Sequence, residues 1–222
     1  MNLGLGGYLF IGAILMCIVN AMQMNWYGIA PWKSVFVSIA IAFTGLLCCE
    51  LWYYFENGEW GGKSFFGGVF FAPITFMLVS KLLRIPYLYS LDYCATAGCL
   101  VLSVLKVDCL IGGCCKGIVL YKVSHDTFVR FPSQAVEVTM AGILTIALLF
   151  ISKRERFRGR IYPITLVVYG AIRFVLNLFR DDWERTKQMN LLLPLGCIWS
   201  LVAIAVGLAW MFCVKMKETE NH

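Results

Sequence analysis

Seven stretches of this chain are apolar over lengths close to the ~20 residues that a helix needs to cross the hydrocarbon of a bilayer. They fall at about 3–22, 34–54, 65–83, 87–105, 134–152, 160–179 and 191–214. In lipid a spanning segment must satisfy its backbone N–H and C=O groups internally, and runs of this length do so as α-helices. The expected fold is an all-α polytopic membrane protein with about seven transmembrane helices. Charged residues make up only 14% of the 222 positions, against roughly 25% in ordinary soluble domains. No polar stretch is long enough for a soluble appendage, so 1–222 reads as one integral membrane domain with a polar tail at 216–222.

The N-terminal MNLGLGGYLF has no basic flank and opens a long apolar run, so it is expected to remain as the first helix rather than to be cleaved. The densest basic cluster, KRERFRGR at Lys153–Arg160, abuts two spans. Cytoplasmic loops carry such clusters, which predicts an outside N-terminus and an inside C-terminus. The net charge of +6 suits anionic headgroups, and nothing points to nucleic acid. Most cysteines (Cys17, Cys48, Cys49, Cys94, Cys99, Cys197 and Cys213) fall in spans, where a free thiol acts as a small apolar group.

Arg173 breaks the apolar pattern. It follows about a dozen uncharged residues in the sixth span, in YGAIRFVLNLFRDD (Tyr169–Asp182). A guanidinium keeps its proton at any cellular pH, and mid-membrane it costs at least ~2.5–3.5 kcal/mol on insertion scales. It therefore needs a polar cavity and a partner. The partner is either an anionic ligand such as a lipid phosphate, or an internal carboxylate: Glu50, Asp92 or Glu137. Tyr169, Arg173, Asn177 and Arg180 recur at steps of four, four and three, which aligns them on one helical face. That stripe is expected to face the bundle interior.

Three further segments carry polar or backbone chemistry. In VDCLIGGCCKG (Val107–Gly117) glycines interrupt an apolar run beside Lys106. Non-helical backbone here would offer N–H donors to an anion. Cys109, Cys114 and Cys115 in it admit three roles: packing, a reactive thiol near cations, or metal ligation, although adjacent cysteines ligate awkwardly. In RFPSQAVE (Arg130–Glu137), Pro132 and Ser133 suit a helix start, and Gln134 and Glu137 share a face. In GEWGGKSFFGG (Gly58–Gly68) the glycines suit either a lid or close helix packing.

Taken in order, FGG (Phe66–Gly68), Asp92 fourteen residues ahead of Lys106, CLIGGCCKG, RFPSQAVE, YGAIRFVLNLFRDD and LGCIWSLVAIAVGL (Leu195–Leu208) resemble the prolipoprotein diacylglyceryl transferase family. The likeness runs from about residue 60 to 208. It implies a multi-pass enzyme of the bacterial cytoplasmic (inner) membrane that moves a diacylglyceryl group from phosphatidylglycerol to a cysteine thiol of a prolipoprotein. Its partners would be phosphatidylglycerol or another anionic phospholipid and the prolipoprotein signal peptide. No cofactor or metal is implied.

By the same resemblance Arg173, Lys106, Tyr169 and Glu137 would carry the chemistry. Arg130, Gln134, Gly117, Gly67, Gly68, Asn177 and Arg180 would contact substrate. Four positions depart from the family pattern. Phe66 replaces a histidine, Lys106 an arginine, Phe131 the histidine of R-H-P-S-Q, and Asn177 a glutamate. His125 and His222 are the only histidines in the chain. Competing expectations are a non-catalytic lipid-binding or scaffold member of the same fold, a transferase with another acceptor, and a small-molecule transporter.

Overall fold

The computed structural model describes residues 4–113, 117–122, 128–181, 186 and 190–220. Cys114, Cys115, Lys116, His125 and His222 lie outside them, so the expectations placed on the paired cysteines fall there too. The elements run α1 (Gly4–Trp26), α2 (Lys33–Asn57), α3 (Phe65–Leu83), α4 (Tyr87–Gly112), β1 (Val119–Lys122), β2 (Phe128–Arg130), α5 (Ser133–Ser152), α6 (Ile161–Leu178) and α7 (Leu195–Glu220). The two strands pair antiparallel. Each helix contains a segment long and apolar enough to cross a membrane, as expected.

Polarity is distributed for lipid. Large apolar side chains face outward, Leu78 at 72% exposure and Leu82 at 80%, while Asn20, Gln23, Asp92, Thr96, Glu137, Arg173, Asn177 and Ser200 are buried. A protein folded for water would reverse that arrangement. The interior also holds Met24, Val37, Phe76, Leu91, Tyr93 and Leu148. α6 packs chiefly on α7, α4 on α5 and α1, and α2 on α3. Gly170 lets α6 approach α7, because a Cβ there would meet Ile204 and the Ser200 carbonyl.

Several boundaries differ from the sequence expectation, α1 running on to Trp26 and α2 to Asn57. α4 continues past 105 to Gly112 and stops where Gly113 turns left-handed, at φ 66°. Val107–Ile111 has no breaker, so those residues stay helical and their N–H groups are not the anion nest expected there. α7 begins at Leu195 rather than 191. Pro194 cannot donate to a preceding turn and suits a helix entrance, and its carbonyl accepts from Cys197 N at 2.7 Å. Beyond the last apolar segment α7 continues to Glu220, so most of the anticipated tail is helical backbone.

At the α2–α3 contact, a Cβ on Gly67 would collide with the Cys48 carbonyl and Trp52 Cβ, while one on Gly68 would lie 3.2 Å from Cys49 Sγ. Overpacking typically costs about 1–3 kcal/mol. Gly67→Ala is expected to lower the melting temperature of the detergent-purified protein, and Gly68→Ala to lower it less. Equal shifts would remove Gly67 from the helix contact.

Candidate functional site

Three helices bring one charged group each to a single point. α4 supplies Lys106, α5 supplies Glu137 from its second turn, and α6 supplies Arg173. Arg173 Nη1 donates to Glu137 Oε1 at 2.6 Å, and Lys106 Nζ donates to Glu137 Oε2 at 2.9 Å. Each oxygen of one carboxylate thus answers a different cation. All three side chains are largely buried. Of the three carboxylates that could have met Arg173, Glu137 is the partner. Glu50 and Asp92 are not.

The cluster forms the polar end of a cavity of about 800 Å³. Tyr169, Asn177 and Arg180 line it beside Arg173, so the stripe on α6 faces inward as its spacing predicted. The cavity body is apolar, walled by Ile41, Phe65, Phe66, Val69, Leu102 and Leu166 among others. An apolar chamber with Lys106, Arg173 and Arg180 around one carboxylate fits an amphiphile with an anionic head.

Tyr169 and Asn177 flank Arg173 one helical turn to either side. The Tyr169 ring packs edge-on against Phe65 at 5.2 Å. Its hydroxyl is buried and makes no hydrogen bond among the described residues, and the same holds for Asn177 Nδ2. A buried polar group left unpaired costs ~1–3 kcal/mol. Both residues belong to the lining of the one cavity. Gly196 on α7 makes room for Asn177, because a Cβ there would crowd its amide. Sequence reasoning missed Gly196, which only the α6–α7 contact reveals.

Other anticipated contacts stand elsewhere. Gly68 lines the cavity, but Gly67 is spent on helix packing. Gln134 is buried beside Ser133, whose hydroxyl donates to its Oε1 at 3.5 Å, and is off the lining. Arg130 is also off it: its Nη1 donates to Asp181 Oδ2 at 2.6 Å and to the Gly117 carbonyl at 3.1 Å. Gly117 bridges to Arg180, and a Cβ on it would strike the Phe131 carbonyl. Arg130 and Gly117 therefore belong to the backbone framework that holds the end of α6, not to the cavity wall.

Lys63, Glu56, Asp108 and Cys109 line the cavity as well, along with Cys48, Cys49, Cys94 and Cys99. Cysteines expected merely to fill space thus form part of its wall. Among the described residues no group of three or more His, Cys, Asp or Glu side chains is placed to hold a metal ion. Phe66 stacks on Phe70, with ring centroids 5.9 Å apart, and lines the cavity.

Removing the carboxylate alone would leave two buried cations side by side, a change that typically costs about 3–5 kcal/mol. Glu137→Gln is expected to melt well below the parent protein and to recover more than the parent when anionic phospholipid is added to the micelles. A melting temperature that ignores lipid charge would rule out ligand access to these cations.

Comparison with known proteins places this geometry in context. The family described as prolipoprotein diacylglyceryl transferase matches residues 7–213. The phosphatidylglycerol–prolipoprotein diacylglyceryl transferase of Wolbachia sp. subsp. Brugia malayi is 26% identical over 159 residues, covering 67% of this chain and 60% of its own length. The protein of the same name from Ehrlichia ruminantium (strain Welgevonden) is 26% identical over 174 residues, 73% of this chain and 66% of its own. The one from Dehalococcoides mccartyi is 24% identical over 239 aligned positions, 99% of this chain and 90% of its own. The chain thus spans less than two-thirds of the length of the Wolbachia and Ehrlichia relatives it matches.

Proposed function

Because the chain belongs to the prolipoprotein diacylglyceryl transferase family, we propose that it transfers a diacylglyceryl group from phosphatidylglycerol to the cysteine thiol of a prolipoprotein. The observation that carries this proposal is the Glu137 carboxylate held between Lys106 and Arg173 beside an apolar cavity of about 800 Å³. Two cations against one anion leave a net positive end, which favours a phosphodiester head. Acyl chains would occupy the apolar body.

The reaction joins sulfur to the terminal glycerol carbon of the lipid and breaks that carbon's bond to phosphate oxygen. The bonding pair leaves with glycerol phosphate, and the thiol gives up one proton. Arg173 and Lys106 are assigned to hold the phosphate and to stabilise the charge that grows on it as the bond breaks. Tyr169 and Asn177 are assigned as neutral donors to the remaining lipid oxygens. Arriving phosphate would compete with Glu137 for both cations and free its carboxylate to take the thiol proton. The acceptor would be the signal-peptide end of a prolipoprotein, met from the outer face of a bacterial inner membrane with the N-terminus outside. Nothing in this scheme calls on a cofactor.

Removing a preorganised charged donor of this kind typically lowers turnover by about 100- to 1,000-fold. Arg173→Ala is expected to lose at least that much transfer from labelled phosphatidylglycerol to an acceptor peptide. Arg156→Ala, on the loop between α5 and α6, should stay within about twofold of the parent, as surface changes away from a site usually do. Comparable activity of the two variants would take Arg173 out of the mechanism.

A second reading, a lipid-binding member without turnover, is favoured by Phe66 alone, since its apolar ring occupies the cavity wall where the family carries an imidazole. The Phe66→His/Asn177→Glu protein separates the two. Transfer that appears only in this variant would support the non-catalytic reading, whereas transfer by the parent would dismiss it.

A further inference from the structure

At the opposite end of the bundle, a second carboxylate gathers an unusual number of donors. Asp92 on α4 is fully buried and is not part of the cavity wall. Its Oδ1 accepts from the backbone N–H of Ile161 at 2.9 Å and of Tyr162 at 3.3 Å. Its Oδ2 accepts from the Gly159 N–H and from the Tyr27 hydroxyl, the latter at 2.9 Å. Burial, then the adjacent carboxylate, push the Tyr27 hydroxyl's pKa up, so it remains a donor.

The first N–H groups of a helix have no partner within it. In α6 the residue at the cap position is Arg160, whose side chain makes no capping hydrogen bond. Ile161 and Tyr162 donate to Asp92, Pro163 has no N–H, and Ile164 donates to the Arg160 carbonyl at 3.2 Å. Every donor in that first turn is accounted for, and the cap is borrowed from another helix.

We propose that Asp92 is a positioning residue that locks the axial register of α6 against α4, and thereby delivers Lys106 and Arg173 to the same carboxylate. Fourteen residues of α4 separate Asp92 from Lys106, a rise of about 21 Å, and twelve of α6 separate Ile161 from Arg173, about 18 Å. Two arms of similar length leave one carboxylate, Asp92, and converge on another, Glu137. Slipping α6 by one residue would shift Arg173 about 1.5 Å along the axis and turn it about 100° away from Glu137. The register itself does not depend on the lipid-transfer reading. Its effect on turnover does.

The full-length protein in detergent provides the test. Substitutions this far apart and without shared partners normally add. Here the combined melting-temperature loss of Asp92→Ala/Glu137→Gln should fall short of the sum of the single losses by more than about 2 °C. Additive losses would overturn the coupling. If Asp92→Ala fails to fold, Asp92→Asn, which keeps one acceptor oxygen, takes its place in the cycle. Arg160→Asn would give α6 a local cap. In the Asp92→Ala background it should restore hydrogen-exchange protection at the Tyr162 amide without restoring kcat/KM per folded molecule. Recovery of kcat/KM by that local cap would reduce Asp92 to helix capping and overturn the register role. If the parent protein transfers no lipid, the functional proposal fails, while the melting cycle still decides the register.

Discussion

One carboxylate joins the working part of this structure. Glu137 holds Lys106 on one oxygen and Arg173 on the other, and so ties α4, α5 and α6 together where the bundle would otherwise contain two repelling cations. A buried charge is tolerated when it is paired and hydrogen-bonded. Within the Lys106–Glu137–Arg173 cluster, Glu137 offsets one of the two cations it binds. In the proposed reaction this internal counter-ion would be exchanged for the phosphate of an arriving lipid.

The surrounding fold explains why that charge cluster is where it is. The apolar exterior places the bundle in lipid, and the apolar body of the cavity continues that environment inward to the charges. Strand pairing through Gly117 and Arg180, with Arg130 bound to Asp181, fixes the end of α6. Gly170 and Gly196 set how closely α7 lies against it, and Gly196 leaves space for the Asn177 amide. At the far end Asp92 answers the N–H groups with which α6 begins.

The seven spans were legible because apolar length is a local property, and the α6 stripe because helical spacing alone puts Tyr169, Arg173 and Asn177 on one face. Which carboxylate meets Arg173 was not legible. Glu50, Asp92 and Glu137 all lie in or beside spans, and only the rotation and depth of neighbouring helices choose among them. For the same reason Gly67 and Gly68, adjacent in sequence, have different roles: one faces the Cys48 carbonyl and the other the cavity. Arg130 looked like a headgroup contact from its motif, yet its short reach to Asp181 depends on a strand pairing absent from any spacing rule. Asp92 was legible only as one of three carboxylates that could meet Arg173 and by its spacing to Lys106. Its purpose appears only when the unpaired start of α6 is brought beside it.

The most direct measurement is an experimental structure of the protein in a bilayer containing phosphatidylglycerol. Lipid phosphate density is expected within hydrogen-bond distance of Lys106 Nζ and the Arg173 guanidinium, with the Glu137 carboxylate displaced from at least one of them and acyl density along Phe65 and Val69. An occupied cavity with Glu137 still bridging both cations and the phosphate bound elsewhere would contradict that expectation.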